Sequence, residues 1–238
     1  MYGLDHGLER GDGLIRPARL AVHTGLDLFE RALVLMLFAY FVQRMLSPLA
    51  RLVAADLAYP QLLVEAAAAN LGALLLVVSE VLGVVLILAR RRTASISTSL
   101  VDWALSLSAV CAPLLARVAA PASGLAYEIG VSVMLGGLTI QIAAKAALWR
   151  SFGIAPANRG VRTGGLYRVI RHPMYAGYAL AHAGFVLAYP SPANALLYAG
   201  AFLIQVARLL REERLLNRDR CYRDYAARVR YRLIPKLF

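Results

Sequence analysis

The residues with side chains able to do chemistry crowd into positions 149–238 of the 238-residue chain. The stretch Trp149–Met174 sets Gly160, Gly164 and Gly165 among Arg150, Arg159, Arg162, Arg168 and Arg171, and runs into His172-Pro173. Glycine permits tight turns and a close approach of backbone to a ligand. Pro173 suits the first position of a helix, where its missing N–H costs little. His172 then stands beside a helix N-terminus, whose free N–H groups favour an anionic group of a ligand. An ordinary basic loop carries the same arginines, and residue types alone do not separate the two readings. A second cluster holds Arg208, Arg211, Glu212, Glu213 and Arg214. Arg208 and Glu212, four apart, share one helix face; they make either a surface ion pair with snorkelling arginines or part of a polar site. Farther on, Tyr222, Tyr225, Ala226 and Val229 repeat at i, i+3, i+4, i+7, an apolar stripe opposite an arginine face. Such a helix suits a membrane surface with anionic lipid, or a lid over the preceding loop.

Metal and nucleophile chemistry find little support. Cys111 and Cys221 form no CxxC or ligand spacing, His172 and His182 are not spaced as ligands, and no HExxH or GxSxG motif occurs. The expectation is a metal-free site and no disulfide.

The elements that must position these residues are apolar. The chain is 60% hydrophobic and 17% charged, with a mean hydropathy of +0.60. That excludes disorder, collagen and a nucleic-acid-binding tail, and marks an all-α integral membrane protein. The net charge of +12 then reads as basic loops held on one side of a bilayer. Six spans of suitable apolarity stand out: 29–49, 71–89, 99–118, 126–148, 175–188 and 192–210. The loops support that count. Arg10, Arg16 and Arg19, then Arg90–Arg92, then the arginines of 150–171, then the tail from Arg208 alternate with poorly basic loops near Arg51, Pro121 and Pro190. Both termini are therefore expected in the cytoplasm. The arginine-rich, lysine-poor composition favours a bacterial chain, hence the cytoplasmic membrane. Residues 1–28 read as an N-terminal cytoplasmic segment without a signal peptide's features, 29–148 as four helices, and 149–238 as a catalytic region. That region comprises a loop, a helical hairpin over 175–210 and an amphipathic C-terminal helix, which together make a cytoplasmic cap. Residues 52–70 fit an interfacial helix or an outer loop.

Glu80 falls mid-span, whereas Asp102, Glu128 and Lys145 fall near the ends of spans. Intramembrane charge is expensive and often functional, so Glu80 is the acid to follow. Gly130, Ser132, Gly136 and Gly137 give the fourth span a face for close helix packing.

Taken in order, Gly165-Leu166-Tyr167, Arg171-His172-Pro173-Met174-Tyr175-Ala176-Gly177, Glu212-Glu213-x-x-Leu216, Tyr222-x-x-Tyr225 and Arg232-Leu233-Ile234-Pro235 resemble the isoprenylcysteine carboxyl methyltransferase family. That family is similar in turn to phospholipid N-methyltransferases. The resemblance covers about 149–235. It implies a membrane methyltransferase that binds S-adenosylmethionine in a cytoplasmic pocket. By that resemblance Tyr167, His172, Pro173, Met174, Tyr175, Glu212 and Glu213 would hold the cofactor, with the backbone of Gly160, Val161 and Arg162 running along it. Arg208 would be the catalytic residue facing the acceptor. Family members often carry a His-Thr-Leu-Val-like stretch where this chain has Arg159–Arg162, so only backbone contacts are expected there.

The implied chemistry suits the residues. A sulfonium cofactor brings its own leaving-group activation, leaving the protein to bind, align and exclude water. A carboxylate acceptor is ionised at neutral pH and needs a cation, which arginine supplies in two-pronged form. A hydrophobic or lipid-like acceptor methylated on a carboxyl oxygen is therefore the first expectation, ahead of S- or N-methylation. Membrane lipid is expected around the chain, and nucleic acid is not. An NADPH-dependent membrane reductase shares a similar HP-x-Y loop and Tyr-rich tail, but lacks the Glu212-Glu213 pattern. A transporter would place its polar residues at mid-membrane instead.

Overall fold

The computed structural model describes residues 17–56, 71–93, 95–117 and 119–238. Within these the chain is all-helical: α1 Pro17–Asp56, α2 Leu71–Ala89, α3 Leu100–Cys111, α4 Leu125–Leu148, α5 Pro173–Ala188, α6 Pro192–Leu216 and α7 Arg220–Arg228. One isolated antiparallel bridge joins Ile96 to Ala157.

Among the described residues, three helices are long and apolar enough to cross a membrane: 71–89, 125–151 and 192–216. The other expected spans take different forms. Positions 29–49 lie inside the 40-residue α1, which is already helical from Pro17. Residues 17–28 of the expected N-terminal segment thus belong to that helix, and 1–16 lie outside the described residues. The 99–118 span is divided, because Pro113 converts the end of α3 into a 3-10 turn over Ala112–Leu115. α5 has 16 residues, about 24 Å of rise against a hydrocarbon core of about 30 Å. Of the 52–70 stretch, 52–56 continues α1, and 57–70 lies outside the described residues.

α4 and α5 lie backbone to backbone. A Cβ on Gly137 would come within 2.3 Å of the Ala181 nitrogen, and one on Gly177 within 2.7 Å of the Gln141 nitrogen. The small-residue face of α4 is therefore used inside the chain. Gly136 has no part in it, since nothing lies within 4 Å of its Cβ direction. α1 packs Val34, Phe38 and Phe41 against Leu86 and Ile87 of α2, in a core that continues into Phe152 and Ile154 of the loop after α4.

Lys145 and Asp102 stand in end turns of α4 and α3, as their positions suggest, yet both are buried and paired. Lys145 is fully buried. Its Nζ donates to Ser79 Oγ at 2.7 Å and to the Ser79 carbonyl at 3.2 Å, and reaches Glu80 Oε1 at 3.5 Å. Gln141 Nε2 also donates to Ser79 Oγ, at 2.8 Å. The mid-span Glu80 thus has its counter-ion on α4, and the rings of Phe38 and Phe152 flank the ammonium at 5.6 and 5.9 Å. Asp102 is buried and pairs with Arg211 of α6. Glu128 is exposed in the first turn of α4, as its position suggested.

Candidate functional site

The segment between α4 and α5 turns three times. Trp149 ends α4 at φ +49°, and Gly160 and Gly165 take φ of +95° and +59°, a region that glycine enters without a Cβ penalty. Pro173 opens α5 with His172 as its N-cap residue, and no side chain caps it. The amides just before the helix find partners in the C-terminal segment instead. Arg171 N–H donates to the Tyr231 carbonyl at 2.8 Å, and His172 N–H to that of Arg232 at 2.9 Å.

This segment, the end of α6 and α7 enclose a cleft. It offers about 80 Å³ of accessible space and opens to solvent. Gly160, Val161, Arg162, Tyr167, His172, Met174, Tyr175 and Glu212 all line it, together with Arg159, Arg171, Tyr222 and Tyr225. These residues come from three separate parts of the sequence, and the fold brings them to one place. Pro173 lies buried behind the wall.

Glu213 also lies behind the wall, as a buried tie point. Its carboxylate accepts from Arg232 Nε at 2.8 Å and Tyr222 Oη at 3.3 Å, meets Arg171 Nη1 at 2.8 Å, and lies 3.2 Å from His172 Nε2. One side chain thereby holds the loop, α7 and the C-terminal segment onto α6. Glu212 points into the cleft and accepts from Tyr175 Oη at 2.6 Å. Arg208, one turn earlier, has its guanidinium 5.2 Å from the centre of the Tyr175 ring. Arg208 does not pair with Glu212. Its Nη2 donates to the Ile154 carbonyl at 2.6 Å, while its Nε has no partner.

α7 covers the cleft. Asp219 caps it by accepting from Cys221 N–H at 2.8 Å, and also accepts from Asn158 Nδ2 of the loop at 2.7 Å. Tyr225 Oη donates to the Tyr167 carbonyl at 2.8 Å. Burial raises the Tyr167 and Tyr222 hydroxyls well above their ordinary range and pushes Tyr225 up to about 12. At neutral pH these three are hydrogen-bond donors and ring surfaces, not bases.

Behind the loop lies a buried cluster that sequence reading missed: Asp27 and Glu30 of α1 with Arg90 and Arg159. Glu30 accepts from Ile154 N–H at 2.7 Å and Ala155 N–H at 2.9 Å, and its other oxygen meets Arg159 Nη2 at 2.5 Å and Arg90 Nη1 at 2.9 Å. Asp27 meets Arg90 Nη2 at 2.9 Å. Burial, reinforced by Arg159, lowers Arg90 to about 10, still charged at neutral pH. Two acids three residues apart at the mouth of an apolar stretch were the available signal. Among the described residues no three His, Cys, Asp or Glu side chains converge as a metal would need.

An all-helical chain with membrane-length helices and a polar, tyrosine-rich cleft at the helix ends fits a membrane protein with a ligand site. Residues 125–223 match the model of the phospholipid methyltransferase family, to which isoprenylcysteine carboxyl methyltransferase-like proteins belong. The match runs from α4 into α7. It takes in the loop, the hairpin and the Glu212 helix end, and leaves α1–α3 outside. The matched stretch, under half of the chain, is thus similar to a methyltransferase family. A comparison with the curated proteins finds no match.

Proposed function

We propose that this chain is an S-adenosylmethionine-dependent membrane methyltransferase with a hydrophobic, lipid-like acceptor, and that the acceptor atom is a carboxylate oxygen. The observation that carries the reading is the cleft itself. Residues brought forward from separate motifs line one cleft, and all of them but Tyr225 fall inside the region that the methyltransferase family matches.

The donor set suits such a cofactor. Tyr167, Tyr222 and Tyr225 offer ring surfaces. Glu212 offers an acceptor for hydroxyl or ammonium groups. Arg162, with no ion pair among the described residues, offers a cation for a carboxylate. When bound, S-adenosylmethionine supplies an electrophilic methyl group and a neutral thioether leaving group. The chain's own part is to hold and align. Tyr175 Oη keeps Glu212 fixed in the cleft, and the Tyr175 ring also meets the guanidinium of Arg208. Arg208, with Nε uncommitted, provides a cation for an anionic acceptor. Tyr175 also lines a narrow recess between α5 and α6, with His182, Phe202, Gln205 and Leu233. Phe202 is exposed on the helix surface, which gives an apolar acceptor a route from the bilayer.

Two measurements on detergent-purified protein test the reading. In calorimetry, S-adenosylmethionine and S-adenosylhomocysteine should bind saturably and NADPH should not; binding of NADPH alone would replace the reading with a reductase. Incubation of labelled S-adenosylmethionine with membrane lipid should give a product that releases labelled methanol in mild alkali, as a methyl ester does. An alkali-stable lipid product would move the acceptor atom to nitrogen or sulfur.

A further inference from the structure

We infer that Glu30, on α1 and outside the region matched by the methyltransferase family, is a positioning residue of the cleft. The inference rests on the proposed cofactor site for its ligand, and on the geometry alone for its mechanics.

Residues 152–160 leave α4 without entering another helix, yet Phe152, Ile154, Ala155 and Arg159 are all buried. Buried amides in such a segment need acceptors from elsewhere. Glu30 Oε1 supplies one oxygen to two consecutive amides, Ile154 and Ala155, while Oε2 holds the guanidinium of Arg159. Two parts of the site hang from these same residues. The Ile154 carbonyl takes the hydrogen bond of Arg208 Nη2. Arg159 lies in the cleft wall directly before Gly160, with its carbonyl accepting from Ser151 Oγ at 3.1 Å. A single carboxylate on the first helix thereby sets both the wall where the cofactor is proposed to lie and the arginine proposed to face the acceptor. An ion pair that only stabilised the fold would not need to reach the backbone of the site loop.

The test uses the full chain in detergent and two variants. Glu30→Asp keeps the charge but draws the carboxylate back by one methylene. The double variant E30Q/R90Q removes one charge of each sign, so the cluster stays balanced. The probe is S-adenosylhomocysteine, with backbone amide exchange at 152–160 as a readout that needs no ligand. Both variants should extract and melt near the wild type. They should bind the probe about tenfold to a hundredfold more weakly, and exchange the Ile154 and Ala155 amides faster while α4 and α5 stay protected. Arg31→Ala, which removes a guanidinium bonded to Asp27 and to the Ile87 and Arg90 carbonyls but to no atom of residues 152–160, should leave the probe's affinity unchanged. Folded Glu30 variants with wild-type affinity overturn the inference, whether or not the amides exchange faster. If the wild type binds no probe, the proposed cofactor fails, and the amide exchange alone decides Glu30: unchanged protection at 154 and 155 overturns its role.

Discussion

Two buried charge clusters sit in the same molecule and do different things. Lys145, Glu80, Ser79 and Gln141 form a knot between α2 and α4, and its side-chain hydrogen bonds end on residues of those two helices. Asp27, Glu30, Arg90 and Arg159 tie α1 to two loops, and Glu30 spends half of its carboxylate on the backbone of the site. Burial and pairing look alike in both, so neither identifies a functional cluster. The distinction lies in what else the charged atoms hold. The first cluster joins helix to helix, and its loss should be felt as stability. The second joins helix to cleft, and its loss should be felt in binding as well.

The largest effect should come from breaking the second cluster outright. Glu30→Ala leaves Arg90 and Arg159 facing Asp27 alone and should cost about 3–5 kcal/mol, seen as a lower melting temperature in detergent and poor recovery of folded protein. Next comes Arg208→Ala, expected to lower turnover by about a hundredfold or more. The affinity for S-adenosylhomocysteine should change little, because Arg208 is not part of the cleft wall; equal loss of both would make Arg208 a structural partner of the loop. Glu212→Ala should show the reverse pattern. Calorimetry should find cofactor affinity reduced by about tenfold, the scale of one charge-assisted hydrogen bond, with the melting temperature nearly unchanged. Tyr225→Phe removes the bond to the Tyr167 carbonyl and should cost about 1 kcal/mol, read as faster proteolysis at α7. The smallest effect is expected from the first cluster. Glu80→Leu combined with Lys145→Met replaces a buried pair by apolar groups and should change stability by about 1 kcal/mol in either direction. Cofactor affinity should stay at the wild-type value. A loss of affinity in that variant would erase the contrast between the two clusters.

Legibility in the sequence followed the range of the interactions. The His172-Pro173 helix start, the Glu212 helix end and the Tyr222–Tyr225 stripe are local patterns, and each occurs where its residues placed it. Their meeting in one cleft was read by resemblance, because no local rule brings Val161 to Tyr225. Glu30 stayed invisible because its meaning lies in Arg90, Arg159 and two amides about 125 positions away, contacts that hydropathy cannot report. Lys145 does sit in the last turn of its helix, as read, but its burial was not legible because its counter-ion Glu80 stands on a different helix. Pro113 could have warned that the third span breaks, since proline withholds an N–H from a helix interior, but the surrounding apolar run masked it.

The backbone contact between α4 and α5 has a mechanical consequence. With Gly137 against Ala181 and Gly177 against Gln141, no side-chain layer lies between the two helices to slide or compress. The loop from Trp149 to His172 starts at the end of one of these helices and returns to the start of the other, so its two anchors keep a constant separation. The cleft cannot widen by parting that hairpin. Entry and exit of a ligand must fall to the cover, where α7 is latched to the loop by Asn158 on Asp219 and by Tyr225 on Tyr167. The hairpin works as a fixed jaw and α7 as the moving one, and the rate of product release should follow the strength of those two latches.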